Sequence, residues 1–258
     1  MAAGLGLVVG FIAAFLGIGG GVLIVPILCI GFGLDHRKAS GTSLGVVMFV
    51  AAAGVAVDLI SGDPAARPAI LAALLVAPPA ILAARTVAPM INRLPTAVLR
   101  RIFAVVVLVV VVRLFGLPPF GAAQSDGLLA YGDMAWPMFV VLPLIGLCMG
   151  GLGTLVGIGG GLILIPALGF LFHDLTWLQC RATSLLVVAP TAFLGLQRHL
   201  DQGTAELRCV RMLAPACVVG AVVGSWVAHR ADSSLFQHAF AGFLLFVGLR
   251  LLLIRRST

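Results

Sequence analysis

Gly17-Ile18-Gly19-Gly20-Gly21, with Pro26 five residues later, decides the fold because the chain contains it twice. It returns as Gly157-Ile158-Gly159-Gly160-Gly161 with Pro166, at an offset of 140. Beyond each glycine run comes a second match, Gly41-Thr42-Ser43-Leu44 against Ala182-Thr183-Ser184-Leu185. A third pairs Arg113 with Arg250, each closing the last apolar segment of its half. Three matches in the same order mark a tandem duplication. The halves are residues 1–116 and 134–258, joined by an inter-repeat loop, 117–133, that carries Pro118, Pro119, Gln124, Ser125 and Asp126.

The runs around these motifs are apolar on every side. Of 258 residues 61% are hydrophobic and 10% charged, with a mean hydropathy of +1.19. Soluble chains carry roughly a quarter charged residues. The composition therefore predicts an all-α integral membrane protein in contact with the lipid bilayer, and excludes disorder. The net charge of +7 does not imply nucleic acid, since fifteen Arg and one Lys stand singly or in pairs between apolar runs, as in loops facing the cytoplasm. Five Cys, an odd number without CxxC spacing, read as free, inert thiols. The opening MAAGLGLVVGFIAAFLG lacks the basic stretch of a signal peptide.

Segments are expected at about 2–16, 21–33, 39–60, 68–91, 95–114, 135–156, 161–172, 179–197, 208–228 and 234–254. Their direction follows from counting charges. If each glycine run lies inside one continuous crossing, eight spans result and the sixteen Lys and Arg divide eight against eight. If each run is a turn, so that its flanking segments enter and return, twelve fall on one side. Only Arg67, Arg113, Arg181 and Arg230 then lie opposite, which is the bias of the positive-inside rule. Each half then has about five segments and the halves are inverted, with both termini cytoplasmic. The segments after the glycines, about eleven residues or ~16 Å of helix, are too short to span ~30 Å of hydrocarbon. They are expected to be half-helices. Residue 1 aligns with Val141, leaving a truncated first arm open.

A helix broken at Gly-Gly-Gly presents N–H groups and a positive dipole end, a ready site for an anion. Inverted repeats bring two such breaks together near the midplane. The competing role is close helix packing, since Gly17 and Gly21 are themselves four apart. The expected substrate-binding residues are Gly19, Gly20, Gly21, Thr42, Ser43, Gly159, Gly160, Gly161, Thr183 and Ser184. The hydroxyls are either donors to a buried anion or bonded back to a carbonyl one turn earlier. Gly41-Thr42-Ser43-Leu44-Gly45 also fits a Gly-x-Ser-x-Gly nucleophile elbow, but in an apolar helical setting and without glycines in its second copy. Asp58 and the other carboxylates map to segment ends or loops, so no buried acidic relay is expected. Lys38 and Arg181 are expected as interfacial anchors, His229 as a solvated loop residue, and Trp136, Trp177 and Trp226 as belt residues. No catalytic residue, metal or cofactor is called for.

The doubled Gly-Ile-Gly-Gly-Gly…Pro and (Gly/Ala)-Thr-Ser-Leu motifs resemble those of the TauE/SafE family of membrane transporters, the sulfite-exporter-like permeases, over nearly the whole chain. The resemblance implies an anion permease of the prokaryotic cell membrane, handling sulfite, organosulfonates or related sulfur compounds. Family members are commonly described as eight-span; the charge count favours five segments per half. The expectation is a secondary transporter for a small oxyanion, most readily sulfite or an organosulfonate, working by alternating access. The alternatives are a channel-like or structural membrane subunit and a membrane-embedded serine hydrolase. Exact anion, direction, coupling ion and homo-oligomerisation stay open.

Overall fold

The computed structural model describes residues 2–91, 111, 138–157, 160–172 and 175–253. Among these, nine α-helices and one 3₁₀ turn account for nearly every residue. They are α1 (Ala2–Leu16), α2 (Gly21–Phe32), α3 (His36–Ile60), a 3₁₀ turn (Pro64–Ala66), α4 (Ile70–Ile91), α5 (Met138–Val156), α6 (Gly161–Leu171), α7 (Trp177–Asp201), α8 (Leu207–Ala228) and α9 (Ser233–Leu253). All of the expected segment 95–114 except Val111, together with the inter-repeat loop, Arg113 and Trp136, lies outside the described residues.

Four of the helices, α3, α4 with its preceding turn, α7 and α8, are long and apolar enough to cross a membrane. Leu5, Val8, Phe49, Leu74, Leu82, Val219 and Phe246 are exposed, an outer surface suited to hydrocarbon rather than water. Helix starts differ from the sequence boundaries where a cap intervenes. α7 begins two residues early because Thr176 and Gln179 form a capping box, with Thr176 Oγ1 accepting from the Gln179 N–H at 3.2 Å and Gln179 Oε1 from the Thr176 N–H at 3.0 Å.

The close approaches fix the direction of each helix. A methyl group placed on Gly41 would strike His199, and one on Gly54 would strike Leu185, while Asp58 is paired with Arg181. Residue numbers rise along α3 as they fall along α7, so the equivalent helices of the two halves run antiparallel. This is the inverted duplication itself. α3 and α8 run parallel, through Thr42 with Glu206, Gly45 with Val210 and Gly54 with Ser225. So do α1 and α8, where Gly6 meets Ala216, Gly10 the Cys217 carbonyl, Gly220 the Leu7 carbonyl and Gly224 the Phe11 carbonyl. α1 and α3 therefore point the same way, and α2 between them is a returning arm. The second half repeats the pattern, with Gly146 on Val76 and Gly150 on Ala80 joining α5 to α4. In both seams the glycines recur every fourth residue, letting one backbone lie directly on the other. Such contact drives helix association in lipid, where burial from water cannot.

α9 is held by aromatic packing. Phe236 stacks on Trp177 with centroids 4.2 Å apart, and Phe15 and Phe240 extend the cluster. Trp177 is thus a core residue and not a belt residue, because the capping box turns the first residue of α7 inward. Trp226 stays exposed with the Arg230 guanidinium 3.4 Å above its ring, as an interfacial pair would be.

Candidate functional site

The two glycine runs end one helix and start the next. Gly17, at φ +73°, closes α1 in a Schellman turn: its N–H donates to the Ala14 carbonyl at 3.2 Å and the Ile18 N–H to the Ala13 carbonyl at 3.0 Å. Gly20, at φ +89°, caps α2, and its carbonyl takes the Leu23 and Ile24 N–H groups. In the second half Gly157, at φ +72°, follows α5, and Gly160, at φ +83°, caps α6, its carbonyl taking the Ile163 N–H at 3.1 Å. These left-handed positions are why the runs are glycine: a side chain there costs about 1–2 kcal/mol before any clash is counted. Ile158 and Gly159 lie outside the described residues.

The two turns meet. A Cβ on Gly161 would stand 2.9 Å from the Gly17 carbonyl oxygen and 3.2 Å from Ile18 Cα. Gly19 faces Val47 of α3 and Val188 of α7, each 3.0 Å from its missing Cβ. Gly17, Gly19, Gly20, Gly21, Gly160 and Gly161 are all buried. Among the described residues the N–H groups of Gly19, Gly20 and Gly21 carry no hydrogen bond, as the first donors of a helix do not unless something caps them.

The hydroxyls hold the turns. Ser184 Oγ donates to the Gly17 carbonyl at 2.9 Å, and Ser43 Oγ to the Gly157 carbonyl at 2.9 Å and the Ser40 carbonyl at 2.7 Å. Thr42 Oγ1 donates to the Lys38 carbonyl at 2.7 Å and accepts from the Glu206 N–H at 2.9 Å. Thr183 Oγ1 donates to the Gln179 carbonyl at 2.6 Å and accepts from the Ala69 N–H at 2.7 Å. Every one of these hydroxyl protons is committed to a carbonyl. Each pair reaches into the opposite half, where Ser fixes the glycine turn and Thr fixes the start of the fourth helix. Ser43 and Ser184 lie within helices, and among the described residues neither is bonded to a His, so the elbow lacks both its turn and its base. Among the described residues no cluster of His, Cys, Asp or Glu is placed to hold a metal ion.

Sequence reasoning missed the charges beside the first turn. Arg181 is fully buried and not an interfacial anchor, and its side-chain stem packs against Gly17. Its Nη1 donates to the Ala14 carbonyl at 2.6 Å and to Ser225 Oγ at 3.1 Å, while Nη2 pairs with Asp58 Oδ1. Asp58 is 1% exposed although it stands near the end of α3. His229 is not a free loop residue: Nε2 is 3.1 Å from Asp58 Oδ1 and Nδ1 3.5 Å from Asp63 Oδ2. Lys38 does sit at the surface, 3.7 Å from Glu206. The signal that could have revealed the cluster was that Asp58 is the one acid of α3 and that Arg181 stands apart from the Arg198–Asp201 end of α7, on the apolar stretch.

The comparisons with known proteins agree with this architecture. The family described as Sulfite exporter TauE/SafE matches residues 1–114 and 142–258. A Bacillus subtilis protein named "Probable membrane transporter protein YunE" is 30% identical over 121 residues, 45% of this chain and 44% of its own length. A Haemophilus influenzae "Probable membrane transporter protein" is 28% identical over 116 residues, 43% of this chain and 44% of its own. The matched part is thus under half the length of either relative. No solved structure matches. With the match running through both halves and both glycine turns, the chain belongs to the sulfite exporter TauE/SafE family.

Proposed function

We propose that this protein is a membrane transporter, and no enzyme, for a small oxyanion, sulfite or an organosulfonate foremost, working by alternating access in a prokaryotic cell membrane with both termini cytoplasmic. The carrying observation is the meeting of two glycine turns at which the buried N–H groups of Gly19, Gly20 and Gly21 are unbonded. Those groups and their counterparts at Gly159, Gly160 and Gly161 bind the charge. Ser43 and Ser184 complete the shell by fixing the turns that present them, and Thr42 and Thr183 by fixing the helices that pack around those turns. Backbone dipoles carry no net charge of their own, so an anion held by them can also be released.

The test is uptake of labelled sulfite into proteoliposomes, with sulfoacetate, sulfate, acetate and chloride in parallel. Gly20→Leu and Gly160→Leu are expected to abolish flux of the sulfur anions, and because both positions are left-handed and tightly packed, melting in detergent separates loss of the site from loss of the fold. Normal flux in both variants would make the glycines packing residues and move the site elsewhere. Counterflow of unlabelled substrate separates a transporter from a pore.

A further inference from the structure

Arg181, Asp58, His229 and Asp63 form a file that runs from a partly exposed loop to the first glycine turn. The side chains of Asp63 and His229 are 37% and 13% exposed, whereas those of Asp58 and Arg181 are fully buried. The guanidinium lies at the carbonyl end of α1, and Ser184, one turn further along α7, holds Gly17. The ion pair is incompletely bonded: Arg181 Nε and Asp58 Oδ2 are buried and have no partner. A buried pair kept only for stability gains from full hydrogen bonding, without which its desolvation is not recovered. The groups facing Asp58 are Arg181 from α7 and His229 at the end of α8, with Asp63 beyond the ring; α1 contributes only the Ala14 carbonyl.

The duplication isolates this cluster. At the offset of 141 that relates Thr42 to Thr183, Arg181 corresponds to Ser40, Asp58 to His199 and Asp63 to Thr204. The second turn therefore has no buried Arg–Asp pair where the first has one. We propose that Arg181 is the fixed charge that draws the transported anion to the first glycine turn, and that Asp58 is its exchangeable counter-ion, protonated through His229. This rests on the anion-transporter reading above and adds its coupling. An anion arriving at a neutral pair would leave one uncompensated charge in the membrane interior, which is costly. An anion arriving with a proton leaves the cluster neutral. In the step, the Nε2–H bond of His229 breaks as the Asp58 Oδ1–H bond forms, while Nδ1 takes a proton from the Asp63 side, and Nη2 of Arg181 passes from Asp58 to an anion oxygen. The ring turns over to bring an N–H back to Asp58 before the next cycle. When the anion leaves, Arg181 re-pairs with Asp58 and the Oδ1 proton departs to the side then open.

The experiment measures uptake of labelled methanesulfonate, whose sulfonate binds no proton near neutrality, with a pH dye trapped in the proteoliposomes and the membrane potential clamped at zero. The sulfite panel runs alongside. Where one proton binds with each anion, wild-type affinity is expected to fall roughly tenfold per pH unit on the alkaline side, with acidification inside. Asp58→Asn is expected to take up the anion with less than twofold pH dependence and no acidification. The neutral double variant Asp58→Asn, Arg181→Gln removes both charges together, and folding is judged by its melting. It is expected to fold and to lose uptake. A folded double variant that transports would reduce the pair to a structural link, and an Asp58→Asn variant that still acidifies would remove Asp58 from coupling. Either result overturns the proposal while wild-type flux keeps the transporter reading. Absence of wild-type flux for every anion would instead end that reading, and this inference with it.

Discussion

Gly161→Ala isolates the contact between the two turns. Gly161 is the first residue of α6 and has ordinary backbone angles, so alanine brings no left-handed strain. Its Cβ would stand 2.8 Å from Ser184 Oγ, 2.9 Å from the Gly17 carbonyl oxygen and 3.2 Å from Ile18 Cα. None of the three can step aside cheaply. The Gly17 carbonyl is fixed by Ser184, and Ile18 by its bond to Ala13. Overpacking of this kind costs about 1–3 kcal/mol. Alanine's better helix propensity returns up to ~1 kcal/mol, less at a helix start than in its interior. A net cost of about 1–2 kcal/mol is a factor of roughly 5–30 against the state in which the turns touch.

If the turns touch in one state of the proposed cycle, the cost falls on that state, and the variant should show transport changed by up to roughly 5–30-fold with a lower melting temperature in detergent. Two controls separate its causes. Gly31→Ala, in α2 with nothing within 4 Å of the new methyl, should be neutral or slightly stabilising. Gly62→Ala, at φ +66° in open space, should show only the ~1–2 kcal/mol of backbone strain, with transport intact. If Gly161→Ala melts and transports as the wild type does, the turns do not bear on one another in any state that matters.

Thr183→Val removes the acceptor of the Ala69 N–H and should cost about 1–3 kcal/mol, and Thr42→Val should cost a similar amount at Glu206. Melting of the two variants side by side checks whether the crossed Thr contacts are equivalent. Cysteine labelling should place Arg37, Arg93 and Arg256 on one face of the membrane and Arg67 and Arg230 on the other. The loop at Arg93 lying opposite to Arg256 would restore an eight-span chain.

Most of the architecture was legible because it is repeated. A single Gly-Ile-Gly-Gly-Gly could be a packing notch; the same run twice, with Pro and Thr-Ser in register, could be read as inverted broken helices. The distribution of Arg then chose between continuous crossing and return, and the parallel course of α1 and α3 agrees with return. The polar cluster was illegible for the opposite reason: it occurs once. Asp58 is three residues from a polar turn and Arg181 four from the start of its helix, positions from which long side chains usually reach water. Here the crossing of α3 and α7 places the two ends together beneath α1 and α8. Only the tertiary arrangement turns a terminal acid into a buried one. Trp177 went unread for the same cause.

The crossed hydroxyls constrain how the proposed site could open. If the moving bodies were the two sequence halves, opening would break four side-chain contacts at once, Ser43 on Gly157, Ser184 on Gly17, Thr42 on Glu206 and Thr183 on Ala69. It would also part the glycine seams of α1 with α8 and α4 with α5, where backbone touches backbone. Parting the sequence halves is therefore the more costly way for the proposed site to open. The units that keep both backbone-to-backbone glycine seams are α1 with α8, and α4 with α5, each built from both halves and related by the pseudo-twofold. α3 and α7 stand between them, and each glycine turn joins a helix of one unit to a short arm packed on these central helices. A small rotation of one unit against α3 and α7 would loosen one turn while tightening its counterpart. An inverted repeat makes the two resulting states near mirror equivalents, so their energies start out matched. Among the described residues, a buried charge that sets the first turn apart from the second is the Arg181–Asp58 pair.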